Sequence, residues 1–519
     1  MNSRNTVAPI AIIAGMLAGL FVIASVLLSS GNQLAALCRF LLVGGFVFGF
    51  LFPRAGLLFW LGLCGYTDLL KRLLIVSGRI SFNDLYYVLG MPPVMLGGIT
   101  LAVLVGAVTG RFELQRGQWK LLFVACGLVL FSAALAAKES GGSLGAIGPA
   151  IANDGLYAIL IFLVPVLFTT SDDVVRLCKH LVWLYLPVAL YGVYQQLYGF
   201  QAFEVAYLKT GLSIEIKQLY ADEVRAFSTL NSPTSFSVVC GALCAVSMIL
   251  ALTPRSEGPG KSLHPGIAAV FALIYIAGLM ASASRSAFFV IAVVMGGFFC
   301  FRSKAATKAL YAVMLGCFLM LLFSANAILS NLDAVQAQIA SATGGSDFAG
   351  KMARVSTFSD RLRGFAVLTT NPEAYTLFGY GGTRGIDPSD TLYSHDLLTN
   401  NLVSHGLVPV LAVLAVFVFM LVKAHGSIQR VADVRHRLLA SAFLALAFSL
   451  FAVSMVSGSV LSIFPVNTFL WLSFGLLVLV LQCEAARVAG SVETAAGQPD
   501  EIQSEPRTVH RFRRSSHVA

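Results

Sequence analysis

"LIYIAGLMASASRSAFFVIAVVMGGFF", residues 273–299, carries a single charge, Arg285. The apolar run around it, from 265 to 301, is too long for one crossing of a hydrocarbon core of about 30 Å, which takes roughly 20 helical residues, and about right for two. "SASRS" (282–286) is its sole polar point and the natural place for the chain to turn. Similar runs lie outward on both sides, at 8–30, 33–52, 54–66 (short), 86–109, 119–137, 150–169, 178–198, 233–252, 309–329, 402–423, 437–457 and 464–482. The chain is therefore expected to be an all-α, polytopic helical membrane protein with about 12 to 14 transmembrane helices. Composition agrees: 57% of the residues are hydrophobic and 12% charged, with a mean hydropathy of +0.82, far from the soluble globular range. Continuous runs such as "YAILIFLVPVLF" exclude the short alternating segments of a transmembrane barrel.

The first run follows "MNSRN" and reads as a retained helix, because no small-residue cleavage site precedes a soluble domain. The nine cysteines are odd in number, fall in or beside apolar runs and lack metal-ligand spacing, so they read as small packing residues, with no metal site and no disulfide expected. Lysine and arginine cluster in alternate connections: Arg111, Arg116 and Lys120; Arg176 and Lys179; Arg255 and Lys261; Arg302, Lys304 and Lys308; Lys423, Arg430, Arg435 and Arg437. Counting helices places all five on one side, which is expected to be cytoplasmic. The segment 484–519 is expected to be a disordered cytoplasmic tail after a transmembrane domain spanning 1–483. Topology thus accounts for the net charge of +10, and no nucleic-acid partner is expected. One connection disobeys the count. "DLLKRLLIVSGRISFND" carries Lys71, Arg72 and Arg79 yet falls on the other side, as if it lay along the interface or the run at 86–109 did not simply span.

On that other side two connections are long, about 199–232 and about 330–400. The second combines amphipathic "NLDAVQAQIASA" and "SDRLRGFAVLTT" with turn-rich "GYGGTRGIDPSD", which suits short helices over a cavity, and loops of that length are commonly functional. Arg285 falls at the same boundary. An arginine that snorkels to headgroups and one that holds an anion both fit there. Arg225, Arg361 and His395 share that side. Several guanidinium groups aimed at a low-dielectric cavity suit a phosphate or pyrophosphate, and a histidine can take a proton from a hydroxyl near neutral pH.

Four segments resemble the O-antigen polymerase and ligase superfamily of bacterial polysaccharide assembly. "RAFSTLNSPTSF" is similar to its arginine, Phe-Ser/Gly-Thr-Phe and Asn-Pro pattern through Arg225 and Pro233. "SASRSAFF" resembles its Ser-Arg-Ser/Gly-Ala signature through Arg285. "DRLRGFAVLTTNPEAYTLFGYGG" resembles an arginine, aromatic and "HPxxGxGxG" segment through Arg361, Phe365, Pro372, Gly379 and Gly381, and "SHDLLTNNLVSHGLVPV" resembles a His-Asn segment ending in glycine through His395 and Gly406. The likeness covers about 205–425. It departs where Asp396 replaces the usual Asn, where Ser404 and His405 precede the late glycine, and where Thr234 follows Pro233.

The resemblance implies a C-type glycosyltransferase-like fold in a bacterial inner membrane, with its site facing the periplasm or cell exterior and no cofactor. It implies a polyprenyl-pyrophosphate-linked oligosaccharide as donor, a sugar hydroxyl as glycan acceptor, and work beside a flippase and a chain-length regulator. By the same likeness Arg285 and His395 would be catalytic, and Arg225, Arg361, Asp396, Gly379 and Gly381 would bind substrate. Asp396 could orient His395 or cap the helix that begins there. His405 is expected in a long helix, deeper in the membrane, as a packing residue. A polymerase of exopolysaccharide or O-antigen repeats is the leading expectation. A ligase delivering glycan to lipid A core, and a transporter or flippase of anionic lipid-linked substrate, are the alternatives, although no comparable arginine set sits at midplane depth for the latter.

Overall fold

The computed structural model describes residues 33–78, 84–139, 147–148, 151–210, 225–253, 263–283, 286–313, 315–317, 319–320, 324, 376–379, 397–457 and 463–496. Every regular element among them is helical. Helices α1 (Gln33–Leu51), α2 (Pro53–Val76), α3 (Leu85–Leu89), α4 (Met91–Val108) and α5 (Arg116–Glu139) come first. A π turn (Ile151–Gly155) and a 3-10 turn (Leu156–Ile159) lead into α6 (Leu160–Leu167), followed by α7 (Ser171–Leu184), α8 (Leu186–Tyr198) and α9 (Ala202–Lys209). Then come α10 (Pro233–Leu252), α11 (Pro265–Ala281), α12 (Ser286–Cys300), α13 (Leu397–Ser404), α14 (Leu407–Ile428), α15 (Val434–Ser457) and α16 (Val466–Ala496).

Eight stretches among the described residues are long and apolar enough to cross a membrane: Leu34–Leu51, Met91–Val108, Arg116–Lys138, Ser171–Tyr198, Pro233–Leu252, Leu407–Ile428, Val434–Met455 and Val466–Ala489. Shorter apolar helices at Leu156–Leu167, Pro265–Ala281 and Phe288–Cys300 join them. The molecule is a multi-pass helical membrane protein. The turn expected at "SASRS" is present: α11 stops at Ala281, Ala283 takes a left-handed φ of 48°, and α12 starts at Ser286.

Small residues let the helices meet at backbone distance, as membrane bundles require when lipid tails remove the usual hydrophobic drive between helices. Gly98 of α4 abuts α1 so closely that an added Cβ would stand 2.4 Å from Phe46 O, and one at Gly475 of α16 would stand 2.6 Å from Leu160 O of α6. Gly192 of α8 and Gly278 of α11 both receive the ring of Phe236 from α10. Since backbone cannot yield as a flexible side chain can, Gly98→Ala is expected to cost about 1–3 kcal/mol by forcing α1 and α4 apart. A lower midpoint of thermal unfolding in detergent would register it.

One end of the bundle is tied by ions. Thr170 and Asp173 cap α7 reciprocally, and Asp173 also meets Arg54 at 3.2 Å while Asp172 meets Arg435 at 3.2 Å. Glu484 accepts from the backbone N–H groups of Ala432 (3.1 Å) and Asp433 (3.3 Å), and pairs with His436 (2.8 Å) and Arg487 (2.9 Å). These contacts gather the starts of α2, α7 and α15 and the part of α16 around Glu484 on the face that carries the basic connections. They also correct the boundary placed at 483, because Glu484 is buried and α16 runs on to Ala496. Residues 497–519 lie outside the described residues.

The short run at 54–66 is also corrected. It belongs to α2, 24 residues long, which starts at the basic face beside Asp173 and climbs to the opposite face. Lys71 and Arg72 therefore belong to the last turns of a helix and not to a surface connection, and α4 follows as an ordinary spanning helix.

Candidate functional site

All four motif segments have described parts, the first of them throughout, and all lie at the end opposite the basic face. α10 begins there, since Phe236 in its first turn packs on Gly278 near the end of α11. α12 and α14 begin there too, because their far ends meet at the basic face, where Gln429 Nε2 donates to Phe301 O at 2.8 Å.

The segment after Arg225 is the most firmly held. Arg225 itself is half-buried, whereas Ala226, Phe227, Ser228, Thr229 and Leu230 are buried. Ser228 has a φ of +55°, a left-handed conformation that a side chain adopts at a cost and keeps when its surroundings over-determine it. They do. Gln195 Oε1 accepts from the N–H groups of Ser228 (2.6 Å) and Phe227 (3.2 Å), Arg72 donates to Ser228 O (2.8 Å) and Leu230 O (3.3 Å), and the Ser228 hydroxyl donates to Val188 O. Thr229 Oγ1 donates to Gly65 O at 2.7 Å, and Lys71 Nζ reaches Asp68 (2.9 Å) and Asn231 (3.3 Å). Ser232 caps α10 by accepting from Ser235 N, and Pro233 occupies the first helical position, where its missing N–H costs nothing.

Behind this turn lies Glu204 of α9, fully buried and shared between Arg72 (3.1 Å) and Gln195 (2.6 Å), while its other oxygen accepts from Gln201 N in a capping box. The Arg72 guanidinium also lies over the Phe227 ring at 4.7 Å, and Phe227 stacks on Phe200. The basic pair that disobeyed the charge count is thus neutralised inside the protein by Asp68 and Glu204.

A second construction joins the later segments. Leu407 N donates to Thr376 O and Val408 N to Leu377 O, each at 3.0 Å, clasping residues 376–379 to the start of α14. Gly379 (φ +72°) and Gly406 (φ +94°) meet back to back; a Cβ on Gly406 would stand 2.2 Å from Gly379 N. Both positions need glycine for backbone conformation as well as space. Lys138, at the end of α5, donates to Gly379 O and His405 O at 3.4 Å each.

His405 is therefore not deep in a long helix as expected. α13 ends at Ser404, Gly406 turns the chain, and His405 sits in the break. Known proteins give no match to this chain, whether family models, curated proteins or solved structures are compared.

Of the expected site residues, Arg225 and Gly379 are among the described residues, as is Gly406. Arg285, Arg361, Gly381, His395 and Asp396 lie outside the described residues. What the sequence reading missed is the supporting set: Arg72, Glu204, Gln195, Lys71 and Lys138. The signal was there in one case, since a Lys-Arg pair on the wrong side by charge counting calls for buried carboxylate partners.

Proposed function

We propose that the chain is a membrane-embedded glycosyltransferase that polymerises lipid-linked exopolysaccharide or O-antigen repeat units. The observation that supports this most is the contact between Gly379 and Gly406. The family resemblance assigns these glycines to two separate segments of one site, and in the fold their backbones touch. The buried, over-determined turn after Arg225 adds to it, since a rigid backbone is what an anion-holding arginine requires.

In this reading the donor is a glycan on a polyprenyl pyrophosphate. His395 accepts the proton of the acceptor hydroxyl as the acceptor oxygen bonds to the anomeric carbon. The bond from that carbon to the pyrophosphate oxygen breaks, and the electron pair leaves with the pyrophosphate. Arg225, Arg285 and Arg361 stabilise the charge that accumulates on the leaving group, which lowers the barrier selectively because that charge is greatest in the transition state. Attack from the face opposite the leaving group inverts the anomeric centre.

The test is complementation with His395→Ala, Arg285→Ala and Arg361→Ala, each at matched membrane expression, with lipid-linked single repeats and long polymer both quantified. Loss of polymer with accumulation of single repeats is the expected result. Polymer that persists on its lipid carrier but fails to reach a final acceptor would instead mark a ligase, and three variants indistinguishable from wild type would sink the assignment of this site.

A further inference from the structure

Arg72 is the sole buried arginine among the described residues, and its position is chemically specific. An arginine has five N–H donors. Nε donates to Asp68 O at 3.2 Å, one terminal nitrogen to Glu204 at 3.1 Å, and the other to Ser228 O and Leu230 O. With these engaged and the ring of Phe227 over the guanidinium plane, little remains to hold a ligand. Both backbone acceptors lie in the turn that follows Arg225. Glu204 and Gln195 complete the hold: the carboxylate orients both the guanidinium and the Gln195 amide, and the amide carbonyl captures two N–H groups of the same turn.

A buried ion pair of this kind is poor evidence for stability as such, because apolar residues of similar volume often serve a core equally well. What apolar residues cannot do is hold four backbone groups and a left-handed serine in one arrangement. We infer that Arg72, acting with Glu204 and Gln195, is the positioning residue of the proposed donor site: it fixes the 226–231 turn and through it the placement of Arg225. This rests on the transferase reading for its functional half, while its structural half stands independently.

The experiment uses the full chain in lipid nanodiscs, comparing wild type, Arg72→Lys and the apolar pair Arg72→Met/Glu204→Met. Amide hydrogen exchange of residues 226–231 is followed alongside transfer kinetics with a polyprenyl-pyrophosphate-linked oligosaccharide. The apolar pair is expected to keep exchange protection in α10 and α11 while the turn exchanges roughly 100-fold faster. Its KM for the donor is expected to rise about tenfold with a smaller change in kcat, the pattern of lost ground-state placement. Arg72→Lys, which keeps the charge and loses the fork, is expected to fall between the two.

Turn protection and donor KM both within about twofold of wild type in the apolar pair would overturn the inference. A wild-type chain that transfers nothing from such donors would refute the transferase reading, and the exchange data would still decide whether Arg72 positions the turn.

Discussion

Replacing Arg72 by methionine alone is expected to cost the folded protein about 3–5 kcal/mol, far more than the double replacement of Arg72 and Glu204. The reason is the partner left behind. Glu204 is fully buried, and without Arg72 its charge keeps neutral donors, among them the Gln195 amide and the Gln201 N–H, but loses its cationic partner. Ser228 O keeps only the longer contact to Gln195, and Leu230 O loses the bond that Arg72 supplied. Removing the carboxylate as well removes the larger of these penalties. Unfolding midpoints of the two single variants and the double variant in detergent, assembled as a double-mutant cycle, measure the coupling. A double variant as unstable as the sum of the singles would mean that the pair does not interact as its geometry implies.

Gly406→Ala is expected to release the clasp at the head of α14 and, on the proposed transferase reading, to reduce polymer formation by at least about 100-fold through misplacement of the joined segments. Two effects act together. The backbone at φ +94° and ψ 174° belongs to a region open almost solely to glycine, with a cost for other residues of order 1–3 kcal/mol. The new methyl group would also stand 2.2 Å from Gly379 N and 2.3 Å from the carbonyl carbon of Phe378, so residues 376–379 must move. The proper control is Gly426→Ala, lower in the same helix, where nothing lies within 4 Å of the added carbon and alanine suits a helix better. Polymer yield at matched expression checks both. Full activity in Gly406→Ala would show that the clasp has no part in the site.

Much of this architecture is legible in the amino-acid sequence. Apolar runs announced the spanning helices, and a single polar point in a run too long for one span announced the turn after Ala281. The readings that failed did so for identifiable reasons. The run at 54–66 looked short because Asp68, Lys71 and Arg72 interrupt its hydropathy, and the carboxylate that makes Arg72 tolerable lies 132 residues away. His405 was placed too deep because an apolar run does not reveal where a helix breaks, and Gly406 is as compatible with a helix interior as with a turn until its neighbour Gly379 is known. Glu484 reads as the start of a tail because two of its partners, the N–H groups of Ala432 and Asp433, are backbone atoms that no side-chain pattern encodes, and a third, His436, is far away along the chain.

The distance along the chain between Arg72 and Glu204 also bears on how the protein is made. Asp68 and Lys71 pair within α2 at 2.9 Å, but Arg72 emerges during synthesis well before α8 and α9, so α2 arrives at the bilayer carrying a charge whose carboxylate partner does not yet exist. A cation near the middle of an inserting helix is disfavoured by about 2.5–3.5 kcal/mol, and less toward its end. Insertion of α2 is therefore expected to be completed only when α9 delivers its carboxylate, which ties the making of the first third of the protein to the second.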